Sequence, residues 1–211
     1  EVSSQTIITE ISRTDTTKRK DILIRAFARV LDQHPDCLLV ISIDDRRANQ
    51  ASRLKRLIQE LDIESRVAVV GSIWDILPDL YAVTDIYCTP SVMEGFGMSA
   101  QEAAASGVPV VSSDLVPFVE EYLLGNSPGV VQRGGKKDPL RRGDAAIVVP
   151  ADDIEGFVLA LRILLEDPSL RKQMGENAFR ITVPYFTWSN RVKLFMEQIK
   201  SRKTMSEKQH G

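Results

Sequence analysis

The sequence predicts an α/β fold: a Rossmann-like doubly wound parallel sheet with helices on both faces. Three observations predict it. Short apolar runs recur along the chain as far as Pro150, each followed by a segment with helical spacing. The runs are apolar throughout rather than alternating, which suits strands buried on both faces. Beyond Pro150 the rhythm changes to helices only.

Taken in order, Thr6 to Ile11 reads as the first strand, and Leu23, Phe27, Val30 and Leu31 mark a helix from about Lys18 to His34. Cys37–Ser42 is the second strand, followed by a polar helix from Ser52 to Leu61. Val67–Val70 is the third, followed by a helix over Trp74 to Val83. Asp85 to Thr89 is the fourth, followed by a helix after Gly97. Val108–Ser112 is the fifth. Gly125 to Gly143, rich in Gly, Lys and Arg, reads as a long loop before a last strand from Ala145 to Val149. Ile154, Phe157, Val158, Leu161 and Leu165 share one helical face, and a further helix covers Leu170 to Thr182. Pro184 is expected to break the pattern before a final helix from Trp188 to about Lys200. The division expected is a sheet domain over 1–183, a crossover helix over 184–203 and a disordered tail over 204–211.

At 211 residues the chain suits one sizeable core, and its 43% hydrophobic and 27% charged residues are those of a globular protein. A net charge of −2 gives no reason to expect nucleic-acid binding. Cys37 and Cys88 lie in apolar strands and read as two buried thiols in a reducing compartment. No apolar run reaches the roughly 20 residues needed to cross a bilayer. The expected location is cytoplasmic, with a membrane-peripheral role left open. Glu-Val-Ser-Ser at the start suggests a piece cut from a longer protein.

Doubly wound sheets bind ligands beyond the carboxyl ends of their strands, so the residues just after each strand are the ones to inspect. After the fourth comes Glu94-Gly-Phe-Gly-Met, with Glu102 further on. Gly95 and Gly97 allow close backbone approach, and the following helix turns free N–H groups toward the same space. Two carboxylates so placed can accept hydrogen bonds from sugar hydroxyls. Ser99 and Glu102 also fit a helix capping box. Gly95, Gly97 and Ala100 fit a loose dinucleotide fingerprint, but on the fourth strand-to-helix turn instead of the first.

After the first strand, Asp15, Thr16 or Thr17 can cap a helix whose start is loaded with Lys18, Arg19 and Lys20. Cations there cost a few tenths to about 1 kcal/mol each, so they and Arg13 point to a bound polyanion such as a diphosphate. His34 and His210 carry no catalytic pattern, and Asp44-Asp45 and Asp152-Asp153 lack the spacing of metal ligands. The basic run from Arg133 to Arg142 reads as a solvated loop.

These residues resemble the carboxyl-terminal domain of retaining GT-B glycosyltransferases of family 4, which includes sucrose-phosphate synthases and bacterial mannosyl- and glucosyltransferases. Ser12 to Lys18 resembles the family's G-R-x-D-x-x-K turn, and Asp85–Ser91 its strand leading to the donor site. Glu94 and Glu102 resemble its E-x7-E motif, and Ala105–Val111 and Gly143–Ala146 its later turns. The resemblance implies a transferase moving a hexose from a nucleoside-diphosphate sugar, UDP- or GDP-linked, to an unknown acceptor, with no cofactor and no metal. It implies that Arg13 and Lys18 hold the donor diphosphate and stabilise the leaving nucleotide, while Glu94 binds the sugar. Backbone N–H groups of Phe96, Gly97 and Met98 would line sugar and phosphate, Glu102 would bind the ribose, and the turn of Gly71 and Ile73 would lie beside the base. An amino-terminal partner domain would supply the acceptor site, with the last helix crossing onto it; the chain alone would be inactive. The sequence departs from the family at Ser42–Asp45, at Asp114–Phe118 and in the long loop. A non-catalytic nucleotide-sugar-binding or interaction module is the alternative, and a dinucleotide-dependent oxidoreductase a third.

Overall fold

The computed structural model describes residues 5–71, 73–132 and 140–209. Its centre is an eight-stranded sheet in the order β3-β2-β1-β4-β5-β8-β7-β6. The strands are β1 (Ile7–Glu10), β2 (Leu38–Ser42), β3 (Val67–Val70), β4 (Ile86–Thr89) and β5 (Val110–Ser113), then β6 (Gly129–Val131), β7 (Leu140–Arg142) and β8 (Ala146–Val149). From β3 to β8 every pairing is parallel, and β7 and β6 add an antiparallel edge. Among the described residues seven α-helices complete the fold: α1 (Lys20–Leu31), α2 (Ala48–Glu60), α3 (Leu77–Val83), α4 (Met98–Ala105), α5 (Ile154–Glu166), α6 (Pro168–Phe186) and α7 (Trp188–Gln209).

The two-sided burial follows from the pleat. Successive side chains alternate between faces, so Ile86 and Cys88 of β4 join the core under α1, α2 and α5, whereas Tyr87 joins the one under α3, α4 and α6. Strand β8 divides the same way, with Ile147 and Val149 on the first face and Ala146 and Val148 on the second. Both thiols are free and buried, and burial pushes Cys37 up to about 11 and Cys88 well above the ordinary range.

Four expectations need correction. The long loop carries the β6–β7 hairpin; Leu140 is fully buried, and the Arg141 guanidinium pairs with Glu120. Residues 133–139 of the basic run lie outside the described residues. Pro184 does not end its helix: α6 runs through it to Phe186, and the break falls at extended Thr187. A proline removes one backbone donor, and nineteen residues of helix capped by Asp167 and led by Pro168 absorb that loss. The tail expected to be disordered is helical as far as Gln209, since residues 201–209 hold neither Gly nor Pro and are mostly helix formers. Finally, α1 starts at Lys20, after a separate 3-10 turn over Thr16–Lys18 capped by Asp15.

Candidate donor-binding cleft

Strand β1 lies between β2 and β4, and the chain's direction of winding reverses there. At such a switch point the loops leave in opposite directions and open a crevice beyond the carboxyl ends of the strands. A cleft of about 450 Å³ occupies that place. Arg13, Lys18, Gly71, Ile73, Glu94, Phe96, Gly97, Met98 and Glu102 all line it. They arrive on the turns after β1, β3 and β4 and on the first turns of α4.

The turn after β1 and the loop after β4 are tied together. Lys18 Nζ donates to Glu94 Oε1 at 2.6 Å, and the two side chains are only 6% and 15% exposed. Val92 N–H donates to Thr17 O at 2.8 Å, and the hydroxyl of Ser91 donates to the same carbonyl at 3.3 Å. Burial pulls the Asp15 carboxyl up, but hydrogen bonds from the Thr17 hydroxyl and amide, with Arg13 and Lys18 nearby, outweigh it and hold Asp15 low. Arg13 is 82% exposed at the side chain and meets Asp15 at 3.7 Å. It is the cation of this turn most open to a ligand.

The cation argument changes with these contacts. Lys18 pairs with Glu94, Arg19 with Asp21 and Asp152, and Lys20 with Glu10. A polyanion is therefore not needed to explain why three cations sit there. The case for an anion rests on Arg13 and Lys18 facing the cleft, together with the helix amides opposite them.

Those amides belong to α4, whose first N–H groups have no partner within the helix. Gly97 caps it at φ +106°, with no side-chain cap, so the capping box of Ser99 and Glu102 is not formed. A Cβ on Gly97 would stand 2.6 Å from Val116 Cγ1, whereas one on Gly95 would meet nothing. Gly97 is thus required by the fold itself, a reason separate from ligand approach. Glu102 accepts from the Tyr81 hydroxyl at 3.2 Å, and burial raises its pKa against that bond's opposing pull. A carboxylate has about four acceptor sites, so one bond leaves room for ligand hydroxyls.

Two departures noted in the sequence have structural roles. Asp114–Phe118 lies behind the β4 loop: Val116 fills the space beside Gly97, and Phe118 N–H donates to Phe96 O at 2.8 Å. The Phe96 ring packs against Phe118, Tyr122 and Phe186. The segment after β2 brings Ser42, Asp44 and Arg46 to the cleft, where Asp44 is held low by its Arg46 hydrogen bonds. Weighing Asp44 only as a metal ligand missed it, although its place just after a strand end was the signal to follow.

Residues 1–181 match the family described as glycosyl transferases group 1. The chain belongs to that family. It is 25% identical over 212 aligned residues to a D-inositol 3-phosphate glycosyltransferase of Rhodococcus jostii, covering 98% of this chain and 43% of the relative. It is 29% identical over 165 residues to the lipopolysaccharide core biosynthesis mannosyltransferase LpcC of Rhizobium leguminosarum, covering 77% of this chain and 42% of the relative. The chain thus spans less than half the length of these curated relatives. Among solved structures, Anabaena Alr3699/HepE in complex with UDP and glucose superposes with a TM-score of 0.77 at 22% identity, covering 95% of this chain and 49% of that one. The C-terminal domain of the group 1 glycosyl transferase LpcC from Francisella tularensis gives 0.71 at 20% identity and 87% coverage of both chains. These likenesses establish the fold, the Rossmann-like C-terminal half of GT-B enzymes.

As a group 1 glycosyltransferase domain, the chain has every sequence-predicted site residue on one cleft. Ser72, between Gly71 and Ile73, lies outside the described residues. Among the described residues no helix is long and apolar enough to cross a membrane.

Proposed function

We propose that the cleft binds a nucleoside-diphosphate sugar and that the chain is the donor half of a retaining, family 4 hexosyltransferase. The observation that carries this reading is the convergence of Arg13, Lys18, Glu94 and Glu102 on one crevice at the sheet's switch point. The Anabaena neighbour's complex with UDP and glucose supports it. In this reading Arg13 and Lys18 meet the diphosphate as negative charge develops on the leaving nucleotide, the kind of stabilisation that often dominates catalysis. Glu94 accepts from the sugar hydroxyls, Glu102 from the ribose, and the amides of Phe96, Gly97 and Met98 face sugar and phosphate. Gly71 and Ile73 flank the base. The donor, UDP- or GDP-linked, is a substrate and no separate cofactor takes part.

In the free protein Lys18 and Glu94 neutralise one another, so donor binding exchanges that contact for contacts with phosphate and sugar. The acceptor site would come from the partner domain over which α7 extends, and the chain alone would bind without transferring.

Calorimetric titration with UDP, GDP and ADP tests the reading. At least one should bind, and Lys18→Ala and Glu102→Ala should each weaken it by about tenfold, the worth of one charge-assisted hydrogen bond. Silence with all three and with their sugars, or variants that bind as well as the parent, would defeat it. Binding by the longer protein without transfer would favour the module reading.

A further inference from the structure

Beneath the turn that carries Arg13 lies an ion pair with no access to solvent. The side chains of Glu10, the last residue of β1, and Lys20, the first of α1, are both 0% exposed and bonded to each other. Neither lines the cleft. Their remaining bonds go to the two residues that do: Lys20 Nζ donates to Ser12 O and to Ser42 Oγ, each at 3.1 Å, and Glu10 accepts from the Ser12 hydroxyl. Ser42 closes the network, donating to Ser12 O at 2.7 Å and accepting from Ser12 N–H at 3.0 Å. Tyr87, fully buried on β4, adds a hydroxyl bond to Ile11 O at 3.1 Å. The backbone on both sides of the bond between Ile11 and Ser12 is therefore fixed from below by three strands.

A buried pair of this kind is a poor source of stability, because desolvation offsets the attraction, and a well-packed apolar pair often replaces it without loss. What it supplies is direction. The bonds from Lys20 to Ser12 and Ser42 set the positions of two atoms at the cleft's edge, and the next side chain along is Arg13.

We propose that Glu10 and Lys20 are positioning residues for the donor site, holding the Ser12–Arg13 turn and the end of β2 in the arrangement that presents Arg13 to the donor diphosphate. This rests on the donor reading of the cleft. It extends that reading to two residues that never touch the ligand.

The test uses the full chain and the variant Glu10→Gln/Lys20→Met, which keeps shape and removes both charges. Leu164→Ala, at the far end of α5 from the cleft, serves as a control for general loss of stability. Hydrogen–deuterium exchange across residues 11–17 reads the clamp without any ligand, and calorimetry with UDP, GDP and ADP reads its consequence. The double variant should speed exchange in that segment and weaken nucleotide binding by about tenfold or more. Leu164→Ala should lower the melting temperature while leaving both readings near those of the parent. Unchanged exchange in the double variant would overturn the clamp. Faster exchange with binding within about twofold of the parent would overturn the positioning role. A parent chain that binds none of the nucleotides would defeat the donor reading and the positioning role with it, whereas the exchange result would still decide whether the clamp exists.

Discussion

Gly97 lines the cleft and also meets a demand of the fold, because it carries no side chain. At φ +106°, with Val116 Cγ1 2.6 Å from where a Cβ would stand, Gly97→Ala meets both backbone strain and a clash. We expect a loss of about 1–3 kcal/mol in denaturant unfolding. Val116→Ala should recover only the part due to the clash. Glu102 makes the opposite case. Its pKa is raised in the folded protein, chiefly by burial, so between the ordinary value of 4.5 and the raised one the folded state holds more protons than the unfolded. Stability therefore falls as pH rises through that window, and the cost persists above it. Glu102→Gln should raise the melting temperature at neutral pH while weakening nucleotide binding. In the parent, affinity should climb with pH through the raised pKa as the carboxylate ionises; in Glu102→Gln that limb should vanish. A parent profile flat from pH 4 to 7 would remove Glu102 from the ribose site.

At the scale of elements, the parallel strands were legible because each is a buried apolar run, and the helices because their apolar faces repeat. The β6–β7 hairpin was not, because its strands are three residues each and β6 is largely exposed, so neither shows a period. The end of α6 was hidden for another reason: a proline normally argues for a break, and only tertiary contacts show that the helix continues. Tyr185 and Phe186 there pack against Tyr122, and Phe186 against Phe96 and Phe118, with the Arg191 guanidinium 4.9 Å from the Tyr185 ring centre. The contact joins the last helices to the loop that carries Glu94. Phe186→Ala should cost about 2 kcal/mol or more in stability. It should also weaken nucleotide binding, although residue 186 does not line the cleft. Unchanged affinity in a folded Phe186→Ala protein would show that the β4 loop holds its shape without this support. The site residues themselves were legible through one rule, inspection of strand ends. Ser42 and Arg46 escaped because nothing local distinguishes them from an ordinary polar turn, and the roles of Glu10 and Lys20 escaped because a sequence does not show which charges become buried together.

At the scale of the molecule, α7 exposes an apolar face among the described residues. Trp188, Val192, Phe195, Met196 and Ile199 recur at helical spacing along α7, and their exposures run from 86% at Trp188 to 37% at Ile199. A helix that continued only as a solvated spacer would have no reason to carry such a stripe, and contiguous exposed apolar surface marks an interface. In the proposed enzyme the partner domain covers it. With the stripe open, the 211-residue chain should self-associate as its concentration rises, each copy shielding the other's apolar face. Val192→Glu with Phe195→Glu should leave a monomer whose melting temperature and nucleotide affinity match the parent's, because neither residue reaches the core or the cleft. Sedimentation velocity over a concentration series would show it. A parent chain that stays monomeric throughout, or a double variant that loses nucleotide binding, would mean that the stripe serves this domain and not a partner.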